Sequence, residues 1–163
     1  NQHDCQLILA NDPDADRLAA AERVFSPPVS GDPAWRLFTG NEIGIILGHY
    51  QIQKYVQAKK NGTVFGFGDA AGNGRAAVVT TVVSSKMLKT IANREGVEYS
   101  ETLTGFKWIG NECIRLQADG FKILFSYEEA LGTTGLACNC LALLSLAILL
   151  YFCISIKYSV LLV

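Results

Sequence analysis

The sequence carries no excess of charge of either sign: 14 Lys and Arg stand against 15 Asp and Glu, for a net charge of −1. Nucleic-acid binders carry a clustered basic excess, so a polyanion is excluded as an expected partner. No disulfide framework is legible either. The five cysteines are odd in number and irregular in spacing, and Cys138-x-Cys140 is too tight for a zinc knuckle. They read as reduced cysteines used as small hydrophobes. No charged-then-apolar leader follows Asn1, which gives no expectation of secretion and points to the cytoplasm. A glycine-rich stretch, residues 61–75 (NGTVFGFGDAAGNGR), lacks both the G-x-G-x-x-G spacing of a dinucleotide fold and the Lys-Ser/Thr of a phosphate-binding P-loop.

Half of the residues are hydrophobic, enough for one ordinary domain or two small incomplete ones. The apolar run from Gln6 to Ala10 reads as a buried strand that stops at Asn11-Asp12-Pro13. The acidic loop that follows therefore stands at the carboxyl end of a strand, where open α/β sheets bind ligands. Arg17 to Phe25 and Trp35 to Phe38 read as further strands. Thr39 with Glu42 three residues on forms a capping box for a long helix that closes near Gly62. Residues 61–75 read as a linker. A β-α-β-α-β rhythm follows: strand Ala76–Val83, a helix capped by Ser84-Ser85 with Met87, Leu88 and Ile91 on one face, strand Val97–Leu103, helix Phe106–Leu116, and strand Phe121–Phe125.

Chemistry concentrates in DPDADR, residues 12–17. Asp12, Asp14 and Asp16 can converge on a hard cation, and Mg²⁺ takes oxygen ligands at about 2.0–2.1 Å. A calcium EF-hand fails, because loop position six is Arg17 and position twelve is Arg23 rather than Gly and Glu. A lone D-x-D-x-D is more often a solvated acidic turn. The adjacent Arg17 shifts the balance, since a phosphate on the metal needs a cationic partner. His3 and His49 have no plausible metal partner, and Phe106 and Trp108 read as core.

DPDADR, FTGNEIGIILG, VSSKMLKTIA, TLTGFKWIG and YEEALG occur in that order. Together they resemble the alpha-D-phosphohexomutase superfamily, nearest to its eukaryotic phosphoglucomutase-2 and phosphopentomutase branch. The resemblance runs from about Cys5 to Gly132 and implies two incomplete layered mixed-sheet α/β domains. Residues 1–60 are expected to belong to metal-binding domain 2, 61–75 to the linker, and 76–135 to sugar-binding domain 3. It implies Asp12, Asp14 and Asp16 as Mg²⁺ ligands and Arg17 as a contact to phosphoserine or reacting phosphate. Thr104, Gly105, Glu128 and Glu129 are implied around the sugar, with Glu128 accepting two adjacent sugar hydroxyls. Lys107 is implied as a cation near the substrate phosphate, or else a surface lysine at a helix start. The substrates implied are glucose or ribose and deoxyribose phosphates.

The 163 residues contain no T-A-S-H-N-P-like phosphoserine segment and no R-x-S-G-T-like phosphate loop. No mutase turnover is expected without that nucleophile. A catalytically dead metal- or sugar-phosphate-binding remnant, free or membrane-attached, is the alternative. After Gly132 the family-like text gives way to a hydrophobic, helix-like tail, residues 136–163, without charge between Cys140 and Ile156. That span is near the lower limit of about 17–25 residues for a membrane helix. Intron or frameshifted sequence is the preferred reading of this tail, ahead of a membrane span or a core segment.

Overall fold

The computed structural model describes residues 5–11, 17–24, 34–63, 74–129, 132–135 and 160–162. Strands β1 (Leu7–Asn11), β2 (Leu18–Val24) and β3 (Ala34–Leu37) lead into helix α1 (Gly40–Asn61). There follow β4 (Arg75–Thr81), α2 (Met87–Glu95), β5 (Glu98–Thr102), α3 (Phe106–Ala118), β6 (Phe121–Glu128), β7 (Gly132–Gly135) and β8 (Val160–Leu162). They form two four-stranded sheets, ordered β3-β2-β1-β8 and β5-β4-β6-β7. Among the described residues the strands thus form two small layered mixed sheets, as the resemblance implied.

The first sheet is an antiparallel β1-β2-β3 meander with β8 added parallel to β1. At Val160–Leu162 the tail is therefore a strand rather than helix-like; the rest of it, residues 136–159 and 163, lies outside the described residues. Among the described residues no helix is long and apolar enough to cross a membrane.

Helix α1 begins on the expected capping box: the Thr39 hydroxyl accepts from the Glu42 N–H, and the Glu42 carboxylate accepts from the Thr39 N–H. It ends at Gly62, whose φ of 64° places it in the left-handed region that glycine enters without penalty. The far end of the glycine-rich stretch is pinned to this helix, because the Tyr55 hydroxyl donates to the Gly74 carbonyl at 2.6 Å. Residues 64–73 lie outside the described residues.

The second sheet has a parallel core, with β4 paired to β5 on one side and to β6 on the other. Buried on both faces, β4 reads as a near-continuous small and apolar run, as parallel strands do. Ala76 and Val78 join a cluster with Ile43, Leu47 and Ile52 of α1 and Leu88 and Ala92 of α2. The alternate residues Ala77 and Val79 join Ile109, Cys113 and Leu116 of α3. Helices α2 and α3 thus cover opposite faces, and the chain crosses from β5 past β4 to β6. That crossing makes a topological switch point at the carboxyl edge of the parallel strands.

Three local expectations are corrected. β4 ends at Thr81 rather than Val83, because Ser84 N–H donates to the Thr81 carbonyl at 3.0 Å and turns the chain; Val82 and Val83 are left exposed. Ser84 does not cap α2, its hydroxyl being buried against Thr81, while Ser85 Oγ accepts from Met87 N–H at 3.3 Å. Met87 is exposed, and the packed side of α2 is Leu88 and Ala92, with Ile91 beside them.

Candidate functional site

Thr81, Thr102 and Glu128 are the last residues of three parallel strands, so all three stand at one edge of the second sheet. Glu128 is the last residue of β6, three positions beyond the strand end read from FKILF, and Glu129 follows it. Both oxygens of the Glu128 carboxylate accept the single N–H of Gly105, at 3.1 and 3.2 Å. Gly105 precedes α3 and has φ of 105°, a conformation strained for any residue with a Cβ. The Thr104-Gly105 turn and the Glu128 carboxylate, 23 residues apart in the chain, are therefore in contact.

A bulge decides which way Glu128 points. Ile123 pairs with Ala77, yet Phe125 pairs with the next residue, Val78, leaving Leu124 as an extra residue. Phe121 and Ile123 face the α3 side, whereas Leu124, Phe125 and Tyr127 all pack on the α1–α2 side. The extra residue exchanges the two faces of the strand from that point onward. Ser126 and Glu128 consequently share the α3 side, where Gly105 waits; in an unbulged strand Glu128 would point toward α1.

Glu129 is held differently: its Oε2 accepts from the Thr81 hydroxyl at 3.4 Å, and Thr81 Oγ1 lies 2.8 Å from Ser84 Oγ. Thr81 and Ser84 are buried. Asn41, in the first turn of α1, accepts from Ser85 N–H at 2.8 Å and from the Tyr127 hydroxyl at 3.2 Å through one amide oxygen. Lys86 lies at the same edge, donating to Val82 O at 3.1 Å and pairing with Glu101 at 2.9 Å. That ammonium, as a hydrogen-bond donor first, holds the Glu101 carboxyl below the usual carboxylate range. Asn41, Thr81, Ser84, Lys86 and Tyr127 were not singled out by motif reasoning. Asn41, Ser84, Lys86 and Tyr127 stand in the quoted strings, whereas Thr81 lies two residues before one of them.

Thr104 and Lys107 are exposed at the start of α3. Trp108 is not core: it is 48% exposed one turn into α3, while Phe106 packs partly buried against the α3-side cluster. Cys5 and Cys113 are buried and free, as the composition suggested.

Asp12, Asp14 and Asp16 lie outside the described residues. Their flanks are described. Asn11 pairs with Leu18 at the end of the β1–β2 ladder, and the Asn11 amide donates to the Arg17 carbonyl at 2.8 Å. The neck of the acidic segment is thus closed at the carboxyl end of β1, with Arg17 exposed beside it. By residue type alone, Asp12, Asp14 and Asp16 are an all-oxygen donor set of the kind a hard divalent cation takes. Among the described residues no group of three or more His, Cys, Asp and Glu is arranged to hold a metal ion.

The second sheet is thus a parallel α/β unit covered on both faces, with a carboxylate fixed at its switch point. The model of the phosphoglucomutase/phosphomannomutase alpha/beta/alpha domain III family matches residues 39–139, from the cap of α1 onward, and the chain belongs to that family. It is 42% identical over 131 residues to a phosphoribomutase of Saccharomyces cerevisiae, a match covering 80% of this chain and 19% of that protein. Its identity to the human phosphopentomutase is 41% over 127 residues, 78% of this chain and 18% of the relative. The chain therefore spans about a fifth of the length of these relatives. Among solved structures it resembles a putative phosphomannomutase from Thermus thermophilus, with a TM-score of 0.63 and 19% identity over 97% of this chain and 29% of that one.

Proposed function

We propose that this chain supplies the sugar-selecting and metal-holding parts of a Mg²⁺-dependent phosphoglucomutase- or phosphopentomutase-type intramolecular phosphotransferase. The observation that carries this reading is the Glu128 carboxylate, fixed at the carboxyl edge of the second sheet by the Gly105 N–H. A carboxylate offers about four lone-pair sites, and one shared N–H leaves room for two adjacent sugar hydroxyls. In this reading Thr104, Gly105 and Lys107 at the entry of α3, with Glu129 next to the carboxylate in the chain, supply a cation and polar groups to the sugar phosphate. Asp12, Asp14 and Asp16 hold Mg²⁺, which neutralises phosphate charge during phosphoryl transfer. Arg17, at the neck of the same segment, grips a phosphate oxygen pair.

The 163 residues have no phosphoserine segment, so the reaction of the whole protein, interconverting sugar 1-phosphates and 5- or 6-phosphates, is not carried by these residues alone. The purified chain is expected to show no mutase turnover with glucose 1-phosphate or ribose 1-phosphate in the presence of Mg²⁺ and a sugar bisphosphate. It is expected to bind Mn²⁺, used as a paramagnetic probe of the Mg²⁺ site, and to lose that binding on Asp14→Asn. Turnover by the purified chain, or identical Mn²⁺ titrations for the two proteins, contradicts this assignment.

A further inference from the structure

Three consecutive residues at the end of β6 are tied to three different elements. Tyr127 is bonded to α1 through Asn41, Glu128 to the entry of α3 through Gly105, and Glu129 to the end of β4 through Thr81. The first tie is the most constrained. Tyr127 is fully buried, and its ring lies so close to Gly44 that a Cβ there would meet ring carbons at 2.3–2.6 Å. Burial pushes its phenol up to about 12, so the hydroxyl keeps its proton and remains able to donate. Its partner, the Asn41 amide oxygen, also accepts the Ser85 N–H. Two donors converge there, which fixes the amide with its oxygen inward.

Neighbouring strand residues point to opposite faces, so locking Tyr127 on the α1 side locks the rotation of the peptide that follows and with it the direction of Glu128. We propose that Asn41 is a positioning residue for the Glu128 carboxylate, acting through Tyr127, and that it sets the sugar-phosphate affinity of the site. The second half of this assignment rests on the reading of Glu128 as the acceptor of sugar hydroxyls.

The test uses the ¹⁵N-labelled 163-residue chain and the Gly105 amide as the reporter of the Glu128 carboxylate. Glu128→Ala defines the amide shift and exchange rate without the bond. Asn41→Ala and Tyr127→Phe are expected to move the Gly105 amide toward that limit and speed its exchange about tenfold. Asn41→Asp keeps an acceptor oxygen for both donors and is expected to stay near wild type. Tyr127→Phe retains the ring on Gly44, so it carries the test should Asn41→Ala fail to fold. A lowered melting temperature with an unmoved Gly105 amide overturns the positioning role. In parallel titrations with ribose 5-phosphate and glucose 6-phosphate, Asn41→Ala is expected to bind about tenfold more weakly, with Asn41→Asp restoring affinity. A moved amide with unchanged affinity overturns the link to binding. Absence of binding of both ribose 5-phosphate and glucose 6-phosphate by the wild-type chain overturns the sugar-site reading and that link, while the amide data alone decide the positioning.

Discussion

Gly44 and Gly48 lie one turn apart on α1, and both face the second sheet. A Cβ on Gly48 would meet Leu88 at 2.8 Å and Phe125 at 3.0 Å, and one on Gly44 would enter the Tyr127 ring. The two positions differ in how their neighbours can respond. Leu88 is flexible at its far end, whereas Tyr127 is held both by packing and by its hydroxyl bond to Asn41. Gly44→Ala is therefore expected to destabilise the fold by about 3 kcal/mol, near the upper end for overpacking a core. Urea unfolding should show a lower midpoint, with a smaller loss for Gly48→Ala; equal stability of Gly44→Ala and wild type would refute the close approach. In the sequence both glycines stand inside the FTGNEIGIILG motif. What they make room for lies far along the chain, and no local pattern encodes it.

Elements with local causes were legible. The capping box, the left-handed stop at Gly62 and the order of strands and helices are written in neighbouring residues, and the structure has them in that order, with the ends of β4 and β6 displaced. Elements set by distant partners were not. Ser84 turned from a cap into a buried hydroxyl because Thr81 needed a partner. The bulge at Leu124 has no local signature, although it aims Glu128. The capping box also gives α1 a pH dependence. The Thr39 N–H and hydroxyl, with the Arg36 guanidinium, hold the Glu42 carboxyl below its usual value of 4.5. A depressed carboxyl contributes its stability above the unfolded value and loses it as pH falls through the lower folded value. Acidification below about pH 4.5 is expected to speed amide exchange in the first turn of α1 in wild type. Glu42→Gln should exchange faster at neutral pH and change less on acidification; parallel pH profiles would count against the box as the cause.

At the scale of the whole molecule, one cluster of buried side chains runs from Leu9, Leu18 and Ala20 of the first sheet through α1 to Val78, Phe125 and Tyr127 of the second. Helix α1, grouped from sequence with the metal-binding unit, packs on the second sheet, and the match to domain III begins at its cap. The addition of β8 beside β1 was not legible, since the apolar tail gives no period that distinguishes helix from strand. Family membership was legible because five motifs occur in order, and the contact between the Gly105 turn and Glu128 gives two of them a shared place in space. The most direct test of the central claim is calorimetric titration of the chain with ribose 5-phosphate and glucose 6-phosphate, in wild type and Glu128→Gln. The account predicts saturable binding of at least one sugar phosphate, weakened about tenfold when the carboxylate is replaced by an amide. Absence of binding to wild type, or equal affinity in Glu128→Gln, would contradict it.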